Sequence, residues 1–484
     1  MAVAQDSIDR DEFETPQQPL YADRVKVYPQ RVGGRFRQIK WVVLTVLLGI
    51  YYLAPWLRWD RGPNAPDQAI LVDMPGRRAY FFWIEIWPQE VYYLAGLLIL
   101  AAIGLFFVTS LAGRVWCGFT CPQTVWTDLF MWVERAIEGD RNRRMKLDQS
   151  PMSAEKAGKK IGKHLAWLAI AFVTGGAWIM YFNDAPTVVA NVFTGRAGPT
   201  VYGFIALFTG TTYLLAGWAR EQVCIYMCPW PRIQGAMFDE HTMLVTYEAW
   251  RGEPRSHAKA GQSPEGRGHC IDCGLCVRVC PTGIDIRSGQ QLDCIGCGLC
   301  IDACNSVMAK MAWPKDLITY DALSNQAARE AGQPPRTHWV RPRTAIYAAL
   351  LLVVASVMMF FLSTRAHLQV TVQPDRAPLF VQLRDGGVQN AYTLKILNKD
   401  RTRQTYALAV DGLPGAQLSV IGYEPGSDGY ALPVTGDDVG TFRVLLRAAP
   451  DALRANPLHV EFVVRNRNSG ETNEHETVFN GPGA

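Results

Sequence analysis

The sequence predicts a multidomain membrane protein: a polytopic α-helical membrane domain of about five transmembrane helices, a small cysteine-rich module and a C-terminal all-β domain. Three observations carry this. Five stretches are apolar over the roughly 17 to 25 residues that a helix needs to cross a bilayer. All twelve cysteines lie in short-spaced clusters, and from His367 onward the apolar residues recur with period two. A chain of 484 residues is long enough for two to four structural units. Hydrophobic residues make up 49% and charged ones 19%, which is too apolar for a disordered chain. The formal net charge is only +4 and no Lys/Arg run is interleaved with aromatics, so no nucleic-acid partner is expected.

The spans are expected near 39–57, 91–111, 164–182, 201–219 and 344–363. Trp41, Trp56 and Trp59 flank the first as interfacial anchors. No apolar segment precedes Gln38, so this span should act as an uncleaved insertion signal. A further patch, 80–87, carries Glu85 and stops at Pro88, and reads as an interfacial or re-entrant segment. Lys and Arg concentrate before the first span (Arg24, Lys26, Arg31, Arg35, Arg37, Lys40) and after the second (Arg114 through Lys163), while the loop between the third and fourth holds only Arg196. The positive-inside rule then puts the N-terminus and residues 220–343 in the cytoplasm and the chain after Ser363 in the periplasm of a bacterium, as a multi-pass inner-membrane protein. The expected organisation is a tail (1–38), a four-span membrane domain (39–252), a cysteine module (253–323), a linker (324–343), a fifth span (344–363) and a periplasmic domain (364–484).

In that last domain Tyr392, Leu394 and Ile396, then Phe442, Val444 and Leu446, then Leu458, Val460 and Phe462 alternate with other residues as half-buried strands do. Turns at Asp411-Gly412 and Pro425-Gly426 separate such runs, which suggests an antiparallel immunoglobulin-like sandwich without any cysteine.

Cys270-Ile-Asp-Cys273-Gly-Leu-Cys276-Val-Arg-Val-Cys280-Pro281 is a C-x2-C-x2-C-x3-C-P run, and Cys294, Cys297, Cys300 and Cys304 repeat its spacing. This predicts a dicluster bacterial-type ferredoxin domain with two [4Fe-4S] clusters. Three thiolates curl around one cluster while the fourth reaches the other, so Cys270, Cys273, Cys276 and Cys304 are expected on one and Cys294, Cys297, Cys300 and Cys280 on the second. Gly274 and Gly298 stand where the backbone must approach inorganic sulfide. Asn305 replaces the proline of the repeat, which affects local geometry and not ligand count. Two zinc sites could also use eight cysteines, but the doubled spacing favours clusters.

The other four cysteines form a second constellation. Arg114-Val-Trp-Cys117-Gly-Phe-Thr-Cys121-Pro122 follows the second span and Arg220-Glu-Gln-Val-Cys224-Ile-Tyr-Met-Cys228-Pro229 the fourth, which reads as an internal duplication. If helical, each thiol pair shares one face, and each proline favours a new helix start. Four soft sulfurs, with Met227 nearby, suit copper(I) or an iron–sulfur centre; a redox dithiol is the alternative. His257, His269 and Met243 could assist a metal but read as structural or solvated. No histidine lies at mid-membrane, and C-x-x-C-H, G-x-G-x-x-G and G-x4-G-K-[ST] are all missing, so haem and nucleotide chemistry are not expected.

On these motifs the sequence resembles the CcoG/FixG/RdxA family of cytochrome c oxidase accessory proteins, over nearly the whole chain. The paired C-x3-C-P also resembles the NapH/NosR quinol-dehydrogenase-like group, from which the C-terminal sandwich separates it. The resemblance implies assembly of a cbb3-type oxidase through cupric reductase activity. The implied partners are copper ions, an electron donor that the sequence does not name, and oxidase assembly factors or copper chaperones and transporters, with a homo-oligomer as a further expectation. The expected function is therefore a membrane-bound iron–sulfur oxidoreductase that converts copper(II) to copper(I) at Cys117, Cys121, Cys224 and Cys228. A quinol dehydrogenase-like electron-transfer protein and a non-catalytic redox-sensing scaffold are the alternatives.

Overall fold

The computed structural model describes residues 26–62, 65–259, 261–263, 266–426, 429–449 and 457–482. The start of the predicted tail, including Arg24, and Ala260, Pro264 and Glu265 of the segment joining membrane and cysteine module lie outside the described residues. Five helical segments are long and apolar enough to cross a membrane: Arg35–Trp56, Pro88–Ala112, Ala154–Met180, Pro199–Ala219 and Pro342–Ser363. The chain is a multidomain protein with membrane-length helices, a cysteine-rich part and a β-rich C-terminal part. It forms two compact units. One comprises Met1–Leu48, Leu105–Val173 and Leu207–Ala345; the other Gly49–Gly104, Thr174–Ala206 and Ile346–Ala484.

All twelve cysteines, none of them in a disulfide, belong to the first unit. Its cysteine-rich part is built on an antiparallel strand pair, Leu244–Tyr247 with Ile318–Asp321, and on the helix Leu299–Met311. Val245, Tyr247, Ile301, Met308, Trp313, Leu317 and Ile318 form one apolar core with Cys270 and Cys276. The predicted linker begins in structure, since the helix Leu323–Glu330 continues directly from the second strand of this pair. Where Cys280-Pro281 ends a short helix, Leu275–Val279, Asn305 lets the second helix run on to Met311. Proline lacks the N–H that a helix interior needs, and Asn305 also uses its side chain to hold Asp316 at 2.8 Å.

Charge pairing ties the membrane-proximal helices of this unit together. The amphipathic helix Pro122–Glu138 buries Asp128, Glu134 and Glu138. Arg37 reaches Asp128 at 2.8 Å; Arg144, Arg220 and Lys163 reach Glu134 at 2.8, 3.0 and 3.4 Å. Burial alone would raise the Glu134 carboxyl, but Arg220, Arg144 and Lys163 hold it down at about 2. Asp302, on the Leu299–Met311 helix, accepts from the backbone N–H of Phe36 (3.2 Å) and Arg37 (2.8 Å), the open donors at the start of the first membrane helix.

In the second unit, the segment 80–87 is not a loop but the turn and flanking strands of a β-hairpin. Ile70–Asp73, Arg78–Phe81 and Ile84–Ile86 form a three-stranded antiparallel meander. Phe82, at φ 52°, and Trp83 make the tight turn, and Arg78 pairs with Glu85 at 3.2 Å across it. Eight residues are too few to cross a bilayer but enough for a hairpin. The C-terminal part of this unit is the immunoglobulin-like sandwich. One sheet orders Gln417–Val420, Asp438–Ala448, Val388–Asn398 and Leu368–Pro374; the other orders Pro425–Gly426, Gly429–Val434, Gln404–Asp411, Leu458–Asn466 and Thr472–Phe479. Tyr392, Leu394, Ile396, Val444, Leu446 and Phe462 are wholly buried between them, so the alternating faces point inward as the pattern requires.

Candidate metal centres

Each C-x2-C-x2-C loop turns through a left-handed glycine into a helix, Gly274 at φ 62° before Leu275–Val279 and Gly298 at φ 70° before Leu299–Met311. A side chain is disfavoured there, and a Cβ on Gly298 would also strike the Phe36 ring at 2.5 Å. The structure brings Cys270, Cys273, Cys276 and Cys304 together around one cavity, walled by Tyr247, Met308, Leu317 and Ile318. The charges felt at Cys304 are those of Cys276, Cys270 and Cys273; at Cys300 they are those of Cys297, Cys294, Cys280 and Cys276. The fourth cysteine of each run thus faces the first three of the other. Burial pushes the Cys276 thiol up to about 11 and Cys294 and Cys304 to about 12. Such thiols give up their protons to a metal centre and not to water. Backbone N–H groups of Val277, Gly296 and Ile318 donate toward the sulfurs of Cys276, Cys294 and Cys304, as cluster thiolates require. Among the described residues no three His, Cys, Asp or Glu, the C-x3-C-P cysteines included, converge tightly enough in this arrangement for a single metal ion. Each group of four thiols matches in number the ligand set of one [4Fe-4S] cluster.

The two C-x3-C-P motifs share a local form. Each is a single π-helical turn, Trp116–Thr120 and Val223–Met227, closed by the N–H of the second cysteine: Cys121 to Trp116 O at 2.9 Å and Cys228 to Val223 O at 2.8 Å. Helices start at Pro122 and at Trp230, next to each proline. The motifs come together: Cys117 feels Cys121, Cys224 and Cys228, and Cys224 feels Cys121 and Cys228. Burial, with the neighbouring thiols, pushes Cys117 and Cys224 up to about 12. Cys117 Sγ donates to Gln234 Oε1 at 3.2 Å, and the fully buried Gln234 is fixed in turn by donating to Thr109 Oγ1 at 3.2 Å. Met227, which the sequence suggested as a further soft donor, is 63% exposed, and the side chain that contacts Cys117 is that of Gln234. His257 is exposed and His269 packs on Trp313, 5.8 Å between ring centres; Met243 is tied by its backbone to Leu111.

The two cysteine systems are contiguous. Cys117 and Cys224 pack against the core of Val279, Ile295, Cys297, Leu299 and Ala303. A Cβ on Gly118 would lie 2.9 Å from Ile295 O, 3.0 Å from Gly296 O and 3.1 Å from Cys297 Cα, so the glycine allows backbone to meet backbone. Arg114 clamps the same loop, donating to the carbonyls of Leu292 and of Cys294 (2.9 Å), and reaches Pro231 O at 2.5 Å beside the second motif. Its duplicate, Arg220, serves Glu134 instead. Gln234 and Asp302 carry no motif and could not be found from spacing.

Comparison with known proteins adds three domain matches: a 4Fe-4S binding domain at residues 94–139, which takes in Cys117 and Cys121; a 4Fe-4S dicluster domain at 219–323, which takes in the other ten cysteines; and the IG-like fold at the C-terminus of FixG at 358–482. The chain is similar to protein RdxB of Cereibacter sphaeroides, 49% identical over 477 residues, covering 97% of this chain and 99% of that one. It is 47% identical to nitrogen fixation protein FixG of Rhizobium meliloti over 496 residues (96% and 94% covered). It is 50% identical to protein RdxA of Cereibacter sphaeroides over 434 residues (89% and 91% covered).

Proposed function

Since the chain belongs to the FixG/RdxA family of membrane iron–sulfur redox proteins, we propose that it is a cupric reductase, converting copper(II) to copper(I) for assembly of a cbb3-type cytochrome c oxidase. Cys270, Cys273, Cys276 and Cys304 would hold one [4Fe-4S] cluster and Cys294, Cys297, Cys300 and Cys280 the other. When bound, such clusters supply one-electron storage and transfer. Cys117, Cys121, Cys224 and Cys228 bind the substrate ion: thiolate sulfur is soft and stabilises copper(I) over copper(II), so the same ligands that receive the ion favour its reduced form. The thiols of Cys117 and Cys224, which burial holds protonated, would release their protons to solvent as the ion binds, and the single electron would come from the clusters. The four cysteines are half-buried. The observation that carries the reading is the seat of Gly118 on the Cys294–Cys297 loop, which sets the soft-donor site against the cluster site without an intervening side chain. The excess of Lys and Arg before the first span and after the second supports an inner-membrane orientation with the cysteines on the cytoplasmic side and the sandwich in the periplasm. The electron donor would be a separate protein or a quinol, and the recipients oxidase assembly factors or copper chaperones.

A second reading places an iron–sulfur centre at the four C-x3-C-P cysteines, favoured by the 4Fe-4S binding domain match across Cys117 and Cys121. Anaerobic purification, iron analysis and a copper(II) titration of the dithionite-reduced protein test both. About eight iron per chain and stoichiometric copper(I), trapped by a chelator, support the cupric reductase. About twelve iron with no copper(I) formed would replace it, and rapid reduction by a quinol analogue without copper turnover would move the protein to the quinol dehydrogenases.

A further inference from the structure

On the first unit, away from the cysteines, a cavity of about 680 Å³ is lined by Arg31, Arg37, Arg135 and Arg143, with Trp41 and Trp132 on its wall and Asp140 as its one carboxylate. Asp140 is partly spent on the backbone N–H of Arg31, at 3.0 Å. Among the described residues no carboxylate pairs with the side chains of Arg31, Arg135 or Arg143. Arg37 is 8% exposed; it gives Nη1 to both oxygens of Asp128 at 2.8 Å, while its Nη2 is buried with no acceptor. Burial, with the neighbouring Arg37 and Arg144, pushes the Arg135 guanidinium down to about 10, against the opposing pull of Asp128 and Asp140.

The position of this cavity selects among anions. Arg37 and Trp41 sit one turn apart on the membrane helix Arg35–Leu53, with the Arg37 guanidinium 4.6 Å above the Trp41 ring. Trp132 meets Trp41 edge to face at 6.2 Å and is 50% exposed. Further along the same helix Val42 and Val46 are 63% and 53% exposed, as hydrocarbon-facing residues are. Arginines that fork onto phosphate oxygens, tryptophans at headgroup depth and an apolar helix face below them form a basic pocket at a membrane interface. We propose that this pocket binds a phosphate ester, specifically the headgroup of an anionic phospholipid whose acyl chains run down the exposed face of the Arg35–Leu53 helix.

The test is native mass spectrometry of the full-length protein in detergent, titrated with phosphatidylglycerol, phosphatidylcholine and inorganic phosphate. The parent should hold one phosphatidylglycerol more tightly than phosphatidylcholine. Arg31→Gln with Arg143→Gln, both on exposed side chains, should weaken that binding about fivefold for each charge removed, about 25-fold together. Lys146→Gln, on an exposed lysine outside the cavity, should leave it unchanged. Equal affinity for the two lipids, or the same loss from Lys146→Gln, would overturn the proposal. Tight inorganic phosphate that depends on the arginines, without a bound lipid, would make the pocket a free-phosphate site and overturn the lipid assignment.

Discussion

Gly118→Ala is the smallest change that separates the two cysteine systems. The added methyl meets three backbone atoms, Ile295 O, Gly296 O and Cys297 Cα, at 2.9 to 3.1 Å. Ordinary carbon contacts sit at about 3.5–4.0 Å, so one loop must retreat by about 0.5–1 Å, and no side-chain rotation can relieve it. Overpacking of this kind costs about 1–3 kcal/mol. A displacement near 1 Å in a reacting geometry costs up to about 100-fold in rate. The expected outcome is a protein that keeps its cluster absorbance but reduces copper(II) about 10- to 100-fold more slowly. Gly162→Ala is the matched control. It lies in the helix Ala154–Met180 where a Cβ meets nothing within 4 Å among the described residues, and it should stabilise by about 0.5–1 kcal/mol without changing the rate. Parental copper reduction by Gly118→Ala would refute the close seating on which the functional reading depends.

Three further outcomes can be checked. Glu134 is held at about 2 against an ordinary 4.5, so its ion pairs contribute about 3 kcal/mol that is fully present above pH 4.5 and lost as pH falls toward 2; acid unfolding followed by circular dichroism should lose that pH dependence in Glu134→Gln. Asn305→Pro, although it restores the ferredoxin pattern, should destabilise by about 3 kcal/mol and lower the iron content, because residue 305 lies inside a continuous helix here. Reporter fusions after Arg343 and after Leu383 should report opposite sides of the membrane, and the same side for both would remove the fifth crossing.

The elements that the sequence showed are those with a strong period. The five apolar spans and the inward rows headed by Tyr392, Phe442 and Leu458 needed no tertiary information, because lipid and a sandwich core each impose one repeat. The cysteine runs were equally readable, since a cluster fixes its ligand spacing. The segment 80–87 was not, because a short apolar run has no helical or strand signature until its partner strand, Ile70–Asp73, is known. The π-helical form of both C-x3-C-P motifs was hidden for a similar reason: one extra residue per turn leaves no trace in a five-residue window. Gln234 and Asp302 are single polar residues whose roles are made by contacts more than 100 positions away. Gly118 stood between two cysteines in plain view, but only the approach of the Cys294–Cys297 loop shows why a side chain would not fit.

The central claim is that copper is handled at the C-x3-C-P thiols and not at the cluster ligands. Its most direct test is the variant with Cys117, Cys121, Cys224 and Cys228 all replaced by serine, purified anaerobically, reduced and mixed with copper(II), with cluster absorbance and chelated copper(I) read together. A hydroxyl is a hard, weak ligand that cannot favour the reduced ion as thiolate does, and all eight other cysteines remain. The account predicts intact cluster absorbance with little copper(I) formed or retained, whereas Cys273→Ser or Cys297→Ser should lose a cluster and stop reduction even where copper still binds. A quadruple variant that kept its clusters and still reduced and retained copper like the parent would contradict the assignment.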